Sequence, residues 1–227
     1  MNPNAKRKPD QAEKSAAPAL SVRRRVPRHE KVAATRQAIL DAALDEFAAN
    51  GFAGARLDDV ARRAGVAKGT IYVHFRDKET LFQELVRASL GPLVAALESA
   101  PVADLPLRAF AEQLIATFVR EIVGTRRKDV LRLIISEGER FPQLAHIYYR
   151  EVVKPAIAVL RRAAARALER GEIEDDALLR FPQLLVAPAL MAVLWEARFA
   201  RFEPLDAAEL MRTHLGLLFK ALERRPQ

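Results

Sequence analysis

Hydrogen-bond donors are concentrated in one short stretch of the chain, residues 68–74, with the sequence KGTIYVH. The ammonium of Lys68 and the hydroxyls of Thr70 and Tyr72 can donate hydrogen bonds to phosphate oxygens or to the edges of bases. The imidazole of His74 offers a further donor. Gly69 lies among them and lacks a side chain, so a second molecule can approach the backbone closely there. These residue types at this spacing predict a surface that binds nucleic acid.

Two short helices joined by a tight turn must position these donors. On the first helix, apolar residues recur at i, i+3, i+4 and i+7 and gather on one face. They are Leu57, Val60, Ala61 and Ala64. Gly65 follows and tolerates the positive φ of a sharp turn. On the second helix, Ile71 and Phe75 repeat at i and i+4 and point back into the same core, which leaves the donors outside. The pattern predicts a helix-turn-helix, whose second helix enters the major groove of DNA.

The segment from Thr35 to Val86 resembles the DNA-binding domain of the TetR family of bacterial transcriptional regulators. The resemblance covers about a quarter of the chain and follows one dense, ordered run of residues. The matching residues are Ile39, Leu40, Ala42, Ala43, Phe47, Gly51, Phe52, Val60, Ala61, Ala64, Gly65, Val66, Lys68, Gly69, Thr70, Ile71, Tyr72, His74, Phe75, Lys78, Glu79 and Leu81. The resemblance implies a nearly all-helical homodimeric repressor that binds double-stranded DNA and carries a small-molecule pocket in a larger C-terminal domain.

The resemblance and the side-chain chemistry together assign roles on the second helix. Lys68 is expected at a phosphate or a base edge. Thr70 and Tyr72 are expected at the DNA backbone, with the Tyr72 ring on a thymine methyl group. Gly69 is expected to let the helix come close to DNA. By analogy with the family, His74 is expected at a phosphate; the alternative is a surface histidine that bonds a neighbouring carbonyl.

Four residues outside that helix complete the predicted DNA contacts. Arg56 stands where the family usually has a Thr or Ser that caps the helix, a contribution of about 1 kcal/mol. Arginine has the shape to bind guanine, and a solvent-exposed arginine is the alternative. Thr35 and Arg36 are expected either at a phosphate or in solvent. Lys78 follows the predicted cap Asp77, where a helix N-terminus can hold a phosphate.

The net charge of +8 is concentrated at the N-terminus. Residues 1–31 contain nine Lys/Arg and three Asp/Glu, whereas residues 32–80 contain seven of each. The first 28 residues also hold four prolines and few large apolar side chains, so we expect a disordered basic arm there. Arg23, Arg24, Arg25 and Arg28 can reach a DNA groove or backbone. The alternative is a solvated tail.

Composition also limits the class of protein. Half of the 227 residues are hydrophobic, enough for a sizeable core, and the absence of cysteine excludes disulfides and thiol chemistry. No apolar run reaches the ~18 residues of a membrane span. The basic N-terminus lacks the apolar core of a signal peptide. We therefore expect a bacterial cytoplasmic protein with no membrane partner.

Helical periodicity runs through the rest of the chain and no alternating pattern supports a strand, so the predicted fold class is all-α. We expect an N-terminal three-helix helix-turn-helix domain over residues 29–85 and a larger helical ligand-binding and dimerisation domain over residues 86–227. The predicted helices beyond the two short ones cover residues 30–50, 78–99, 107–123, 127–137, 142–170, 175–202 and 206–224. Breaks are expected at Pro155, Pro182 and Pro188.

Two further sets of residues follow from what the resemblance implies. Aromatic, methionine and polar residues of the middle helices are candidates for the ligand pocket, although each can also be ordinary core. They are Phe118, Arg132, His146, Tyr149, Met191, Trp195 and Phe199. Residues of the last two helices are candidates for a two-fold dimer interface, unless they pack only within their own subunit. They are Leu184, Leu185, Met191, Leu194, Leu210, His214 and Leu217. A dimer would set two recognition helices roughly 34–36 Å apart, which predicts an inverted-repeat operator.

Two other classes of protein stay open at this stage. One is an enzyme, but the chain has no glycine-rich phosphate loop and its four histidines are scattered. No catalytic residue, cofactor or metal site is therefore predicted. The other is a sequence-nonspecific architectural DNA protein driven by the basic arm. The sequence leaves open whether the regulator represses or activates, and which small molecule it senses.

Overall fold

Helices make up all the regular structure of residues 27–101 and 105–222, which are the residues that the computed structural model describes. This confirms the predicted all-α class, with an N-terminal helix-turn-helix followed by a larger helical part. The predicted basic arm, residues 1–28, lies outside the described residues except for Pro27 and Arg28, and Arg28 is the first residue of the first helix.

The first three helices form the helix-turn-helix. They are α1 (Arg28–Gly54), α2 (Leu57–Arg63) and α3 (Lys68–His74). Gly51 interrupts α1 with φ +66°, so the regular part of α1 ends at Asn50 as predicted, and Gly65 has φ +68° in the turn before α3. Glycine adopts this region without strain. The N-cap residues, Arg56 of α2 and Ala67 of α3, make no side-chain capping bond, so packing has to hold both helices.

Helix α4 (Lys78–Glu98) connects the helix-turn-helix to the rest of the molecule. The Asp77 side chain accepts a hydrogen bond of 2.7 Å from the Thr80 N–H, which makes Asp77 the predicted N-cap. Phe82 and Val86, in the N-terminal half of α4, are buried in the same core as α1. Val94, in its C-terminal half, is buried in the larger helical part. Both parts of the molecule therefore share this helix.

Within the described residues, seven more α-helices and three other helical turns follow. In chain order they are α5 (Leu107–Phe118), the first π-helical turn (Val119–Val123), α6 (Arg127–Glu137), α7 (Pro142–Tyr148), the second π-helical turn (Tyr149–Val153), α8 (Lys154–Glu169), α9 (Ala177–Arg180), a 3₁₀ turn (Pro182–Leu185), α10 (Ala187–Arg198) and α11 (Ala207–Leu222). The region predicted as one interrupted helix, residues 175–202, is thus three short elements. No described helix is long and apolar enough to cross a membrane.

The predicted break at Pro155 takes the form of a π-helical turn. Proline has no N–H, and in a regular helix its ring clashes with the carbonyl four residues earlier. That residue here is Glu151, which lies inside the second π-helical turn. The wider turn accommodates the proline, so α7 and α8 are joined without leaving helical structure. Pro182 and Pro188 instead stand in the first turns of the 3₁₀ turn and α10, where no N–H is needed.

Two buried clusters hold the molecule together. The first joins α1, α2, α3 and α4 to α6 and α7. The second joins α5, α8, α10 and α11. The first cluster includes Leu85 and Val86 as well as residues of α6 and α7. Because this packing is continuous at residues 85 and 86, the domain boundary placed between them stays a prediction.

Four phenylalanines form the centre of the first cluster. The ring centroid of Phe52 lies 5.5 Å from that of Phe47 and 6.0 Å from that of Phe82 on α4. It lies 5.1 Å from the ring centroid of Phe141, which directly precedes α7. Ring contacts at these distances add to the free energy of burial. Phe52 thus fixes the end of α1 against both α4 and the start of α7.

Replacing Phe52 by alanine should lower the free energy of unfolding by about 3–5 kcal/mol, because the fully buried ring would leave a cavity among three others. Urea unfolding followed by circular dichroism measures the change. The control is Phe202→Ala, since Phe202 is 72% exposed and its loss should change the same free energy by no more than about 0.5 kcal/mol. Equal losses for the two variants would contradict this role of Phe52.

Candidate nucleic-acid interface and ligand cavity

Helix α3 turns one face into the core and presents the other to solvent. Ile71 and Phe75 are buried, as their spacing predicted. On the opposite face, Tyr72 is 48% exposed and Val73 is 83% exposed. Lys68 is exposed as well. A helix with this division can lay its outer face against another molecule without disturbing the core.

The remaining predicted residues of α3 lie in or beside that outer face. Gly69 is exposed, and Thr70 and His74 are half-buried. A Cβ atom at Gly69 would have no neighbour within 4 Å. The packing of the protein therefore does not require glycine there, and the open space is available to a molecule that approaches α3.

Val73 is an exposed residue that the sequence reasoning missed. Its signal was present in the sequence, because Val73 lies off the stripe formed by Ile71 and Phe75. An apolar side chain in this position gains nothing from solvent. It can contact the methyl group of thymine in a major groove, which adds an apolar contact to the hydrogen-bond donors of α3.

Asp58 of α2 binds two of the predicted DNA-contacting side chains. Its carboxylate accepts a hydrogen bond of 2.8 Å from Lys68 Nζ and one of 3.3 Å from the Tyr72 hydroxyl. The hydrogen bond from Lys68 lowers the pKa of the Asp58 carboxyl, and the same bond raises the pKa of Lys68. Both groups therefore stay charged at neutral pH. A phosphate that approaches Lys68 has to compete with Asp58.

Lys78 has partners within the protein. Its ammonium donates hydrogen bonds of 2.8 and 3.1 Å to the carbonyls of Phe52 and Ala53, and it lies 4.7 Å from the centre of the Phe52 ring. The last carbonyls of a helix have no partner within the helix and attract a cation. Lys78 is thus directed to the end of α1 in the absence of DNA, and its predicted phosphate contact stays a prediction.

Arg36 also has partners within the protein. It forms an ion pair with Glu84 of α4, and its guanidinium lies 6.0 Å from the centre of the Phe75 ring. Arg56, in contrast, is exposed, and its side chain makes no hydrogen bond or ion pair with a described residue. Thr35 is half-buried near the start of α1. Of the two arginines predicted at DNA, Arg56 is the freer to reach it.

A cavity of about 670 Å³ lies within the larger helical part, between α4, α5, α8, α10 and the second π-helical turn. Most of its wall is apolar. The large apolar side chains that line it include Leu90, Leu93, Val94, Leu97, Phe110, Leu114, Phe118, Val152, Val153, Ile157, Leu160, Leu185, Leu190, Met191, Leu194 and Met211. The volume falls within the range of sites that bind drug-sized molecules.

Four polar residues also line the cavity, and none of the described lining residues is charged. The polar residues are Gln113, Thr117, Tyr148 and Gln183. Burial raises the pKa of the Tyr148 phenol, so it stays protonated and can donate a hydrogen bond. The cavity therefore offers hydrogen bonds without offering a charge.

Only two of the seven predicted pocket residues, Phe118 and Met191, are among the described residues that line this cavity. His146 and Tyr149 are exposed on the surface, and Tyr148 lines the wall in place of Tyr149. Successive residues of a helix point roughly 100° apart. Two adjacent tyrosines therefore face different surroundings, and the sequence did not indicate which one faces inward.

The other three predicted pocket residues have partners elsewhere. Arg132 of α6 pairs with Glu196 of α10 at 3.2 Å. The Trp195 indole donates a hydrogen bond of 2.7 Å to the Glu203 carbonyl, and its ring centroid lies 5.1 Å from that of Phe199. These contacts tie α6 to α10 and close the end of α10, which explains why the three side chains do not line the cavity.

The predicted dimer-interface residues divide by their exposure. Leu217 of α11 is 66% exposed, whereas Leu185 is buried within its own subunit, which corrects the prediction for Leu185. Met191 is exposed. The remaining four residues are half-buried: Leu184, Leu194, Leu210 and His214. His214 Nε2 is hydrogen-bonded to the Leu184 carbonyl at 2.8 Å. Leu190 of α10 is as exposed as Met191 and was missed.

A series of ion pairs connects α1 to the second π-helical turn. Glu84 of α4 pairs with Arg36 and also, at 3.1 Å, with Arg87. The Arg87 guanidinium donates two hydrogen bonds of 2.8 and 3.1 Å to Glu151, and these bonds lower the pKa of the Glu151 carboxyl. The next residue along the chain, Val152, lines the cavity. The wall of the cavity is thus connected to the helix-turn-helix through α4.

Two domains of known type match the chain. Residues 39–85 match the domain described as bacterial regulatory proteins of the tetR family. Residues 106–214 match the tetracyclin repressor-like C-terminal domain. Together the two matches cover most of the chain and both of its parts.

Related proteins agree with this assignment. The chain is 25% identical to the transcriptional regulator SrpR of Pseudomonas putida over 193 residues, which cover 85% of this chain and 87% of SrpR. It is 34% identical to the transcriptional regulator TtgW of Pseudomonas putida over 104 residues, which cover 46% of this chain and 75% of TtgW. Both relatives are regulators of transcription and not enzymes.

A solved structure supports the fold. The transcriptional regulator FadR of Bacillus subtilis, in complex with stearoyl-CoA, superposes with a TM-score of 0.62 at 20% identity, over 82% of this chain and 99% of FadR. The two matched domains, the related regulators and the geometry of the helix-turn-helix agree: this chain belongs to the TetR family of bacterial transcriptional regulators.

Proposed function

We propose that this regulator is a repressor of the bacterial cytoplasm that binds an inverted-repeat operator as a homodimer and leaves it when a small molecule occupies the cavity. The observation that carries the proposal is the outer face of α3. Lys68, Tyr72 and Val73 stand exposed there, while the other face is buried. Hydrogen-bond donors and an apolar group at one helix surface suit base edges in a major groove.

DNA binding at this face gains from other positive charge. Arg56 lies exposed beside α2 and is proposed to contact a phosphate or a guanine. The basic residues of the N-terminal arm, including Arg23–Arg25, are proposed to add phosphate contacts, whose strength falls with salt concentration. The alternative of a sequence-nonspecific DNA protein depends on such charge alone.

The homodimer is proposed from the surface of α10 and α11. Leu190, Met191 and Leu217 are large apolar side chains that expose half or more of their surface. Gly216, next to Leu217, has open space where a Cβ would lie, so a second helix can approach α11 closely. An apolar, self-complementary surface of this kind suits a two-fold interface.

Release from DNA is proposed to run through α4. A ligand in the cavity would contact Val152 and Val153 of the second π-helical turn, beside Glu151. Displacement of this turn would disturb the bidentate pair with Arg87 of α4. Since the other end of α4 is packed against α1, its movement would change the distance between the two α3 helices of a dimer. Ligands that favour one of two such arrangements shift the population toward it.

Selection of bound duplexes from random DNA tests the central proposal. We expect the selected sequences to share an inverted repeat, with half-site centres about one helical turn apart. Competition with unrelated duplex DNA provides the control. Loss of binding at equal concentrations of any duplex would support the architectural class of protein instead.

Tyr72→Ala should weaken binding to the selected operator by at least about tenfold, because it removes an aromatic contact and a hydroxyl from the outer face of α3. Tyr149→Ala is a matched control. Tyr149 is exposed to a similar extent, 55% against 48% for Tyr72, but lies on the second π-helical turn. Fluorescence anisotropy measures both affinities. If the two variants lose affinity equally, α3 is not the reading surface.

Leu217→Glu should convert the dimer to a monomer, because it would bury a carboxylate in an apolar interface. Analytical ultracentrifugation measures the mass. Val32→Glu places the same charge on an exposed apolar position of α1 and should leave the mass unchanged. A dimer that persists in Leu217→Glu would place the interface on another surface.

Glu151→Gln should reduce release more than ligand binding, because it removes the charge that pairs with Arg87 while keeping the shape of the side chain. The measurement compares operator affinity with and without a compound that releases the wild-type protein. We expect the ratio to fall by about fivefold or more. The control is Glu112→Gln, which alters an exposed pair with Arg108 on α5. A normal ratio in Glu151→Gln would exclude this route.

A further inference from the structure

We propose that the cavity selects an electrically neutral, largely apolar molecule with a hydroxyl or similar hydrogen-bonding group, and that it excludes ligands whose charged group has to lie inside it. This inference rests on the proposed function of the cavity as the effector site. It goes further, because it assigns the chemical class of the effector.

The described wall of the cavity carries no charged side chain. The described lining residues include neither acid, lysine, arginine nor histidine. An ionised group loses its hydration when it enters such a site, and that loss is compensated only by an opposite charge or by several hydrogen bonds. A carboxylate or an ammonium would find no opposite charge at the described wall, and only four side chains that can hydrogen-bond to it.

Two arginines of neighbouring helices, neither of which lines the cavity, form ion pairs within the protein. Arg132 of α6 bonds Asp129 at 3.1 Å and Glu196 at 3.2 Å. The Arg87 guanidinium of α4 donates two hydrogen bonds to the Glu151 carboxylate. A ligand anion could take over the Arg87 guanidinium only by breaking its pair with Glu151. Arg132 keeps one N–H without a partner, at the buried Nε, but Arg132 is not among the described residues that line the cavity.

The cavity wall contains polar side chains that can hydrogen-bond to a ligand. Gln113 and Thr117 lie one helical turn apart on α5 and so share a face. Neither of these two side chains, nor the Tyr148 hydroxyl, makes a hydrogen bond with another described residue. Gln113 is exposed and Thr117 and Tyr148 are half-buried, so these side chains are free to bond water or a ligand. A hydroxyl, carbonyl or ether of a bound molecule would give these groups a partner.

The proposed class of ligand differs from that of a regulator with the same fold. FadR of Bacillus subtilis was solved with stearoyl-CoA, whose phosphates are anionic. The described wall of this cavity has no cation to pair with such a group. The common fold therefore does not carry a common class of ligand.

Titration calorimetry with three matched probes tests the proposal on the full-length protein without DNA. Decanol, decanoate and decylammonium share one alkyl chain and differ in the charge of the head group at neutral pH. We expect decanol to bind at least tenfold more tightly than either ion. Equal or tighter binding of decanoate or decylammonium, or no binding of decanol, would overturn the proposal.

Gln113→Arg adds a gain-of-function test. Gln113 is exposed at the edge of the cavity, so the change should be tolerated, and the new guanidinium should improve decanoate binding at least tenfold. Ala116→Arg is the matched control, because Ala116 is exposed on the same helix and is not part of the wall. No gain in Gln113→Arg, or the same gain in both variants, would argue against a charge-selective cavity.

A second variant guards against a change in folding. Tyr148→Phe keeps the ring and removes only the hydroxyl, so decanol should bind roughly three- to tenfold more weakly, while the unfolding temperature without ligand stays close to that of the wild type. Unchanged affinity would remove Tyr148 from the binding groups and count against the proposed hydrogen bond.

Release of the selected operator distinguishes this inference from the proposed function. If decanol binds selectively over the two ions but leaves the operator occupied, the class of ligand is upheld and the proposal that the cavity controls DNA release is contradicted. Decanoate that binds more tightly than decanol and releases the operator would do the reverse.

Discussion

The contact of Phe52 with Phe47, Phe82 and Phe141 is the interaction on which the rest of the structure depends. It fixes α1 against α4 and α7. Helices α2 and α3 have no side-chain N-caps, and each is only seven residues long, too short to be stable alone. They hold their shape because α2 packs against α1, α3 packs against α2, and both bury apolar side chains in the first cluster. The direction in which α3 points therefore follows from the same aromatic core that joins the helix-turn-helix to the larger helical part.

Helix α4 joins two kinds of contact that differ in what they contribute. Its buried residues, such as Phe82 and Leu90, belong to the first core cluster, and apolar burial supplies most of the stability. Its ion pairs, through Glu84 and Arg87, are partly exposed and contribute little stability. They do specify which residues lie opposite one another. An apolar contact tolerates small shifts of one helix along another, whereas a bidentate arginine pair requires a defined geometry.

Periodicity and turn residues predicted most of the fold. The bounds of α6 and the end of the regular part of α1 at Asn50 were found directly, because apolar spacing and glycine are local signals. The site was predicted less well. Lys78 was placed at DNA because its position along the chain suits a phosphate, and its contacts with the end of α1 were not predicted. Tyr148 and Tyr149 differ only in the helical face they occupy. Such outcomes depend on tertiary packing, which a single sequence does not contain.

The pair of Asp58 and Lys68 shows how an acid can belong to a DNA-reading surface. A carboxylate close to α3 repels the phosphates of any duplex, whatever its sequence. At a correct site, base edges can accept hydrogen bonds from Tyr72 and Lys68 in place of Asp58. At an incorrect site, Asp58 repels the phosphates, and no base edge replaces it as the hydrogen-bond acceptor for Tyr72 and Lys68. The exposed pair is weak and is screened by salt. If α3 reads DNA as proposed, we expect Asp58 to lower binding to unrelated DNA more than binding to the operator. On the proposed function, specificity at this surface would depend on a repulsive group as well as on the donors of α3.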